Sequence, residues 1–315
     1  MSYARRMWPA FETYHAHLYF VPEAAEAYRG LGLKGGWMGY FAFRSAALGA
    51  ASPGLVTAVF FNFHPAMVAR ALPDAWALAS PEDVLAARLR TADAALRRLI
   101  PDHVGSAGEA EAAALAREAA EAAAVAGRPL FGALRSLPWP DEPHLTLWHA
   151  CTLLREHRGD GHVAVLTAAG LDGCEAHVTV AATGAVPRAT LQSNRKWTDD
   201  EWAAAEDRLR ARGWIDAAGD LTAAGPAGRR SKPAPTLWPR SRGRRWARNG
   251  RSASSNSSLR WPGRSTPPTA SPSPIRWGCR RRSPGAVQLC FCSASFSSSF
   301  VICERPGMSS SWARW

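Results

Sequence analysis

Long uninterrupted apolar runs are missing from this chain. No window reaches the roughly 18 apolar residues of a membrane span, and the opening stretch MSYARRMWPAFETYHAHLYF is broken by Glu12 and His15 before an apolar signal core can form. No membrane partner and no signal peptide are expected, and the body is expected to be cytoplasmic. Zinc-spaced cysteines are missing as well. Cys290 and Cys292 make a C-x-C with no second pair or His cluster at finger spacing, so no structural metal is expected. There is no G-x-S-x-G, P-loop or dinucleotide glycine fingerprint in a strand-turn-helix setting. The GLGLKGG of Gly30 to Gly36 follows a helical pattern, and no cofactor is expected.

Acids are nearly absent from one part of the chain. Residues 231–315 carry 15 Lys and Arg against Glu304 alone, which accounts for more than the whole formal charge of +12. Residues 1–230 are left at −2, so the argument for a polyanionic partner rests on the tail. That tail, beginning around LWPRSRGRRWARNG (Leu237 to Gly250), has one Lys and no Asp, His or Tyr, yet it holds six of the 14 tryptophans. Solvated basic arms mix Lys with Arg and avoid Trp. A GC-rich gene read out of frame produces this bias, so the chain from about residue 230 is read as a disordered, frameshifted tail and not as a nucleic-acid-binding arm.

What remains is helical. Residues 4–20 are amphipathic, and Pro22 and Gly30 bracket a second helix. GGWMGYFAFRSAALG is aromatic on nearly every face and is expected to be buried. GLVTAVFFNF, rich in β-branched and aromatic residues, reads as a short extended piece feeding a helix at Pro65. Ser80 to Ile100, with a serine cap, Pro at N1, early acids and late arginines, is the clearest helix. Gly108 to Gly127 is an alanine-rich one. The prolines of LPWPDEP set a domain boundary near Ser136, and three short apolar helices punctuated by glycine are expected beyond it.

VPRATLQSNRKWTDDEWAAAEDRLRARGWIDAAGDLTAAG then gives a short helix from Pro187, a turn at Lys196 and Trp197, and a long helix opened by a Thr198/Glu201 capping box and ended at Gly213. WIDAAGDLT follows as a small hairpin around Gly219. Helix, turn, helix, hairpin is the order of a winged helix-turn-helix. The expected fold is mainly α: a helical domain over 1–135, a winged helix with a small β-hairpin wing over 136–229, and a disordered tail over 230–315.

FNFHPAMVARALP, PHLTLWHACTLLREHRGDGHVAVL and WTDDEWAAAEDRLRARGWIDAAGDLTAAG resemble the SalK-type helix-turn-helix proteins of actinobacteria over roughly residues 4–228. The wing region is similar, more loosely, to MarR-type regulators. The resemblance implies this fold and a setting among polyketide biosynthesis genes, and it carries over no catalytic residue. It also implies a dimer built on a helix after the wing. With the tail in that helix's place, pairing is expected to be impaired and apolar surface around Trp202, Trp214 and Leu221 to be exposed.

Two functional surfaces are expected. A winged helix meets DNA with the start of its second helix, where Arg188, Arg195 and Lys196 are the candidate contacts. Asp199, Asp200 and Glu201 at the same place suit the helix dipole and oppose phosphates. The second surface is a pocket for an apolar small molecule, for which His15, Trp37, Tyr40, Phe61, His64, His149, His157 and His162 are the candidates, all in aromatic or glycine-rich settings. His149 and His157 are eight apart and share a helix face, with Arg155 and Glu156 pointing elsewhere. His157, Asp160 and His162 have the composition of a two-His-one-carboxylate metal set, but Gly159 and Gly161 equally read as a tight interhelical turn. The function expected is a non-enzymatic, ligand-sensing regulator or binding protein of secondary metabolism. An accessory enzyme of the same metabolism, using these histidines, is the alternative.

Overall fold

The computed structural model describes residues 3–225; the arginine-rich tail, and with it the readings of disorder and of a shifted frame, lies outside the described residues. Its helices are α1 (Tyr3–Ala16), α2 (Pro22–Gly30), α3 (Gly35–Ser45), α4 (Pro53–Phe60), α5 (Pro65–Ala71), α6 (Asp74–Leu78), α7 (Pro81–Leu99), α8 (Ala107–Glu121), α9 (Pro129–Arg135), α10 (Pro143–Ala168), α11 (Gly173–Ala181), α12 (Arg188–Arg195) and α13 (Asp199–Ala211). Short 3-10 turns follow α1 and α3. Serine caps start several of them. The hydroxyls of Ser52, Ser80 and Ser106 accept the backbone N–H groups of Leu55, Asp83 and Glu109, which satisfies donors that the first helical turn leaves open.

Two expectations are corrected here. The segment GLVTAVFF is helix α4, because Ser52 caps it, Pro53 presets its first turn, and burial of Val56, Val59 and Phe60 outweighs β-propensity. The three short helices expected after residue 143 are one 26-residue helix, α10, followed by α11. Gly159 and Gly161 lie inside α10 and make no turn. A Cβ at Gly159 would sit 3.1 Å from the Glu156 carboxylate and 3.7 Å from the Arg155 guanidinium, so the missing side chain leaves room for charge.

Helix α10 runs through the first apolar cluster, against α8, α1, α9 and α7. The cluster gathers Leu18, Phe41, Phe43, Phe60, Phe63, Phe131, Trp148 and Leu153 among others. A second, smaller cluster of Leu171, Val178, Leu191, Trp202, Leu209, Trp214 and Ile215 is enclosed by α11, α12 and α13. The buried members of the first cluster end at Leu154 in chain order, and those of the second begin at Leu171. Trp202 and Trp214 are buried in the second cluster, contrary to the expected exposed patch. No single helix among the described residues is long and apolar enough to cross a membrane.

Where the wing is expected, a minimal antiparallel turn forms, with the Asp216 N–H on the Asp220 carbonyl and the Thr222 N–H on the Trp214 carbonyl, both at 2.9 Å. Among the described residues there is no strand, and the hairpin contracts to a single antiparallel bridge between Ile215 and Leu221. The Asp216 carboxylate takes the N–H groups of Ala218 (2.9 Å) and Asp220 (3.0 Å), folding the loop back too soon for a ladder to extend.

Close packing in the first cluster is tightest where α3 meets α2. A Cβ at Gly39 would lie 2.3 Å from the Tyr28 ring. Gly39→Ala is expected to destabilise the protein by about 1–3 kcal/mol through overpacking. A thermal melt indistinguishable from wild type would show that the ring can move aside.

Candidate functional site

The loop between α4 and α5 joins the two clusters. Phe61 adopts φ 60, ψ −53, and the Asn62 N–H bonds the Phe60 carbonyl at 2.7 Å. This is a γ-turn of the strained hand, a conformation costing about 1–3 kcal/mol for a residue with a side chain. The turn aims successive carbonyls at the second cluster. The Asn62 carbonyl accepts from His177 Nε2 of α11 at 3.0 Å and from Trp197 Nε1 at 3.1 Å. The Phe61 carbonyl lies against Gly173, where a Cβ would be 2.2 Å from that oxygen. Only glycine permits that approach at the first residue of α11.

His64 completes the junction. Its Nδ1 accepts the Ala66 N–H at 3.1 Å, capping α5, which places the ring proton on Nε2. That nitrogen donates to Glu201 Oε1 at 2.9 Å. The ring meets Trp197 edge-on at 5.0 Å, and the His64 backbone N–H donates to the Arg195 carbonyl at 3.1 Å. The start of α13, which a winged helix offers to the major groove, is thus in contact with the first half of the chain.

The capping box forms as expected, with Thr198 Oγ1 accepting the Glu201 N–H and the Glu201 carboxylate accepting the Thr198 N–H. That backbone bond, with His64, holds the Glu201 carboxyl below its ordinary range. The expected DNA-contacting side chains are dispersed. Arg188 is half-exposed but bonds Asp199 at 2.9 Å and approaches Glu206 at 3.7 Å. Lys196 is exposed at the left-handed cap of α12. Arg195 is 3% exposed and points into the first cluster over the Phe63 ring, 4.3 Å from its centroid. Farther along α13, Arg208 pairs with Asp172 and Glu175, and Arg210 with Glu206 and Asp207.

Arg195 reaches a buried charged cluster. Arg44 of α3 grips Glu156 of α10 with two bonds, 3.0 and 3.1 Å, and also donates to the Tyr40 hydroxyl at 3.3 Å. Arg155 donates at 2.7 Å to Glu156 Oε2, an oxygen it shares with Arg44, and lies 3.6 Å from Glu12. Burial opposes the charge on Glu156, but Arg155 and Arg44 outweigh it and hold the carboxyl well below its ordinary range. Glu12 is pushed up by burial, against the pull of Arg155. Burial, with Arg44 and Arg155 adding repulsion, brings Arg195 down to about 10. The Tyr19 ring meets Tyr40 at a tilt, 5.0 Å between centroids, and His15 edge-on at 5.6 Å, while Arg88 lies 4.6 Å over the Trp148 ring.

Among the expected pocket residues the structure brings His15, Trp37 and Tyr40 to this cluster, and Phe61 and His64 to the junction beside it. His15 Nδ1 shares a 2.9 Å bond with Thr152; burial, then Arg155, keeps the ring neutral, well below its usual value. The other three stand apart. His149 is edge-on to Trp139 and lowered to about 3 by burial. His157 is edge-on to Phe131, and both it and His162 are lowered to about 4 by burial. Asp160 accepts the Phe131 N–H at 2.9 Å at the start of α9. Among the described residues no group of His, Cys, Asp and Glu is placed to hold a metal. Arg155 and Glu156 do not point away from the pocket region; with Arg44 they form its charged centre. The signal for them lay in the sequence as charges inside otherwise apolar stretches, LLREH and YFAFRS.

A family model described as a helix-turn-helix family matches residues 4–233. No curated protein and no solved structure matches the chain.

Proposed function

Because the chain belongs to the helix-turn-helix family, we propose that it is a non-enzymatic, ligand-responsive regulator whose recognition helix is held in a docked state by the N-terminal half. The observation that carries this reading is the Phe61–His64 loop seated on Gly173, His177, Trp197 and Glu201. In the docked state the first turn of α13 is tied to α5 and presents Asp199 and Asp200 outward, so phosphate is repelled at the place where a groove would be entered. A small molecule bound in the N-terminal half acts by changing that hold, as a ligand that favours one of two states must. The resemblance to SalK-type proteins supports a ligand drawn from secondary metabolism.

The test uses genomic fragments selected on the full-length protein and fluorescence anisotropy at fixed salt. His64→Ala removes the bond to Glu201 and the ring against Trp197, and Gly173→Ala forces the loop away from α11. Both are expected to bind the selected DNA about tenfold more tightly than wild type, a shift of roughly 1.4 kcal/mol. Equal affinity for all three proteins, or no selected sequence for any of them, overturns the reading.

A further inference from the structure

We infer that the buried cluster around Arg44, Arg88, Arg155 and Arg195 is a binding site for a small organic anion, a carboxylate on a flat aromatic or apolar body. This rests on the reading of the protein as ligand-responsive and names the ligand's chemistry.

The first argument is charge. Arg88, Arg155 and Arg195 are each 3% exposed or less, and the Arg44 side chain is 10% exposed. The acids facing them are Glu156, shared by Arg44 and Arg155, and Glu12, 3.6 Å from Arg155. Among the described residues Arg88 and Arg195 have no carboxylate of their own: the side-chain contacts of Arg195 are the Phe63 ring and a 3.5 Å approach to the Asn194 carbonyl, and Arg88 rests on Trp148. A buried guanidinium without a counter-charge is costly, and a guanidinium fork matches a carboxylate.

The second argument is unspent hydrogen bonding. Arg88 Nε, Arg195 Nε, Tyr19 Oη and Tyr28 Oη are buried and have no hydrogen-bond partner among the described residues, whereas buried polar groups are ordinarily satisfied. They belong to one neighbourhood: Tyr19 and Tyr28 both feel Arg88 and Tyr40, and Arg195 feels Tyr40, Arg44 and Arg155. The third argument is the wall. Tyr19, Tyr40, Trp37 and Phe63 meet one another's ring edges or tilted faces at 5.0 to 5.8 Å, a lining for a flat apolar body and not for a hydrated inorganic ion.

Arg195 also explains how such a ligand would reach the second cluster. Its side chain lies in the first cluster while its carbonyl accepts from His64 and its backbone ends α12, so an anion drawing the guanidinium inward pulls on the element that precedes α13.

Isothermal titration calorimetry on the full chain, without DNA, tests this. The probes are benzoate and 1-naphthoate, with 1-naphthalenemethanol as the uncharged match and inorganic phosphate as the bare anion. Saturable binding of a carboxylate probe is expected, weakened about tenfold or more in Arg195→Met and in Arg88→Met. Both variants are expected to melt no lower than wild type, since each removes an uncompensated charge, so lost binding cannot be ascribed to unfolding. No saturable binding of either carboxylate, equal binding of the alcohol or of phosphate, or affinity unchanged in both variants overturns the inference. Carboxylate binding together with DNA affinities that ignore His64→Ala and Gly173→Ala would keep this site and reject the docked-regulator reading.

Discussion

Acidification from pH 6.5 toward 4 is expected to destabilise this protein steeply, before most of its carboxylates titrate. His15, His149 and His177 are almost fully buried, at 1%, 4% and 1% exposure. Burial is the first cause lowering each of them, with Arg155 adding repulsion at His15, Arg88 at His149 and Arg195 at His177. His149 and His177 fall to about 3. In the unfolded chain each titrates near 6.5. Below that value the unfolded state binds protons that the folded state refuses, so stability present at neutral pH is lost as pH falls toward the folded values. Each such group contributes about 1.4 kcal/mol per pH unit, so the three together contribute on the order of 4 kcal/mol per unit.

Asp160 works the other way, as does Glu12, which burial also raises. Burial raises Asp160 to about 6, so over the interval from there down to its ordinary value near 4 the folded state holds the extra proton and the net slope is reduced by about 1.4 kcal/mol per unit. Against a total stability of about 5–15 kcal/mol the histidines still prevail. Thermal melts from pH 8 to 4.5 should fall most steeply below pH 6.5. His177→Gln, which keeps an N–H donor for the Asn62 carbonyl, should flatten the curve by one proton. A melting temperature constant between pH 7.5 and 5 would contradict this account.

Glu156→Gln is expected to be the most damaging single change in the charged cluster. The amide keeps the volume but withdraws the one carboxylate shared by Arg44 and Arg155, leaving both guanidinium groups buried beside Arg195. Breaking a buried pair from one side costs about 3–5 kcal/mol. With about 2–4 °C lost per kcal/mol in a domain of this size, the melting temperature should fall by roughly 10 °C. The triple variant Arg44→Met, Arg155→Met and Glu156→Leu, which removes both donors and their shared acceptor together, should recover much of the loss. If the single variant melts within a degree or two of wild type, solvent reaches the cluster and the charges are not desolvated.

The helix starts were legible because they depend on near neighbours. Ser80 before Pro81, Ser106 before an alanine run, and Thr198 three residues before Glu201 each specify a cap through contacts within one turn. The helix-turn-helix order was legible for the same reason, since the Thr198 cap and the Gly213 stop bound α13. Helix α10 was misread because it is buried on nearly every side from His144 to His157, so its apolar residues show no stripe, and Gly159 and Gly161 suggested a break. The extent of the wing was not legible, because alternation over a few residues cannot report that Asp216 closes the loop after a single bridge.

The candidate site was only half legible. His15, Trp37, Tyr40, Phe61 and His64 stood out as polar or aromatic residues in conspicuous settings, and they lie at the cluster and its junction with the second half. Arg44, Arg88, Arg155, Glu156 and Arg195 did not, because a charged residue on a helix reads as solvated until its neighbours are known. By itself the sequence determined the helical content, the caps and the family order of α11, α12 and α13, all set within a few residues of the chain. The tertiary structure alone decided that Arg195 faces inward instead of toward a phosphate, and that His64 meets Glu201 across 137 residues. Desolvation and ion pairing depend on which distant segments exclude water from a group, and no local pattern carries that information.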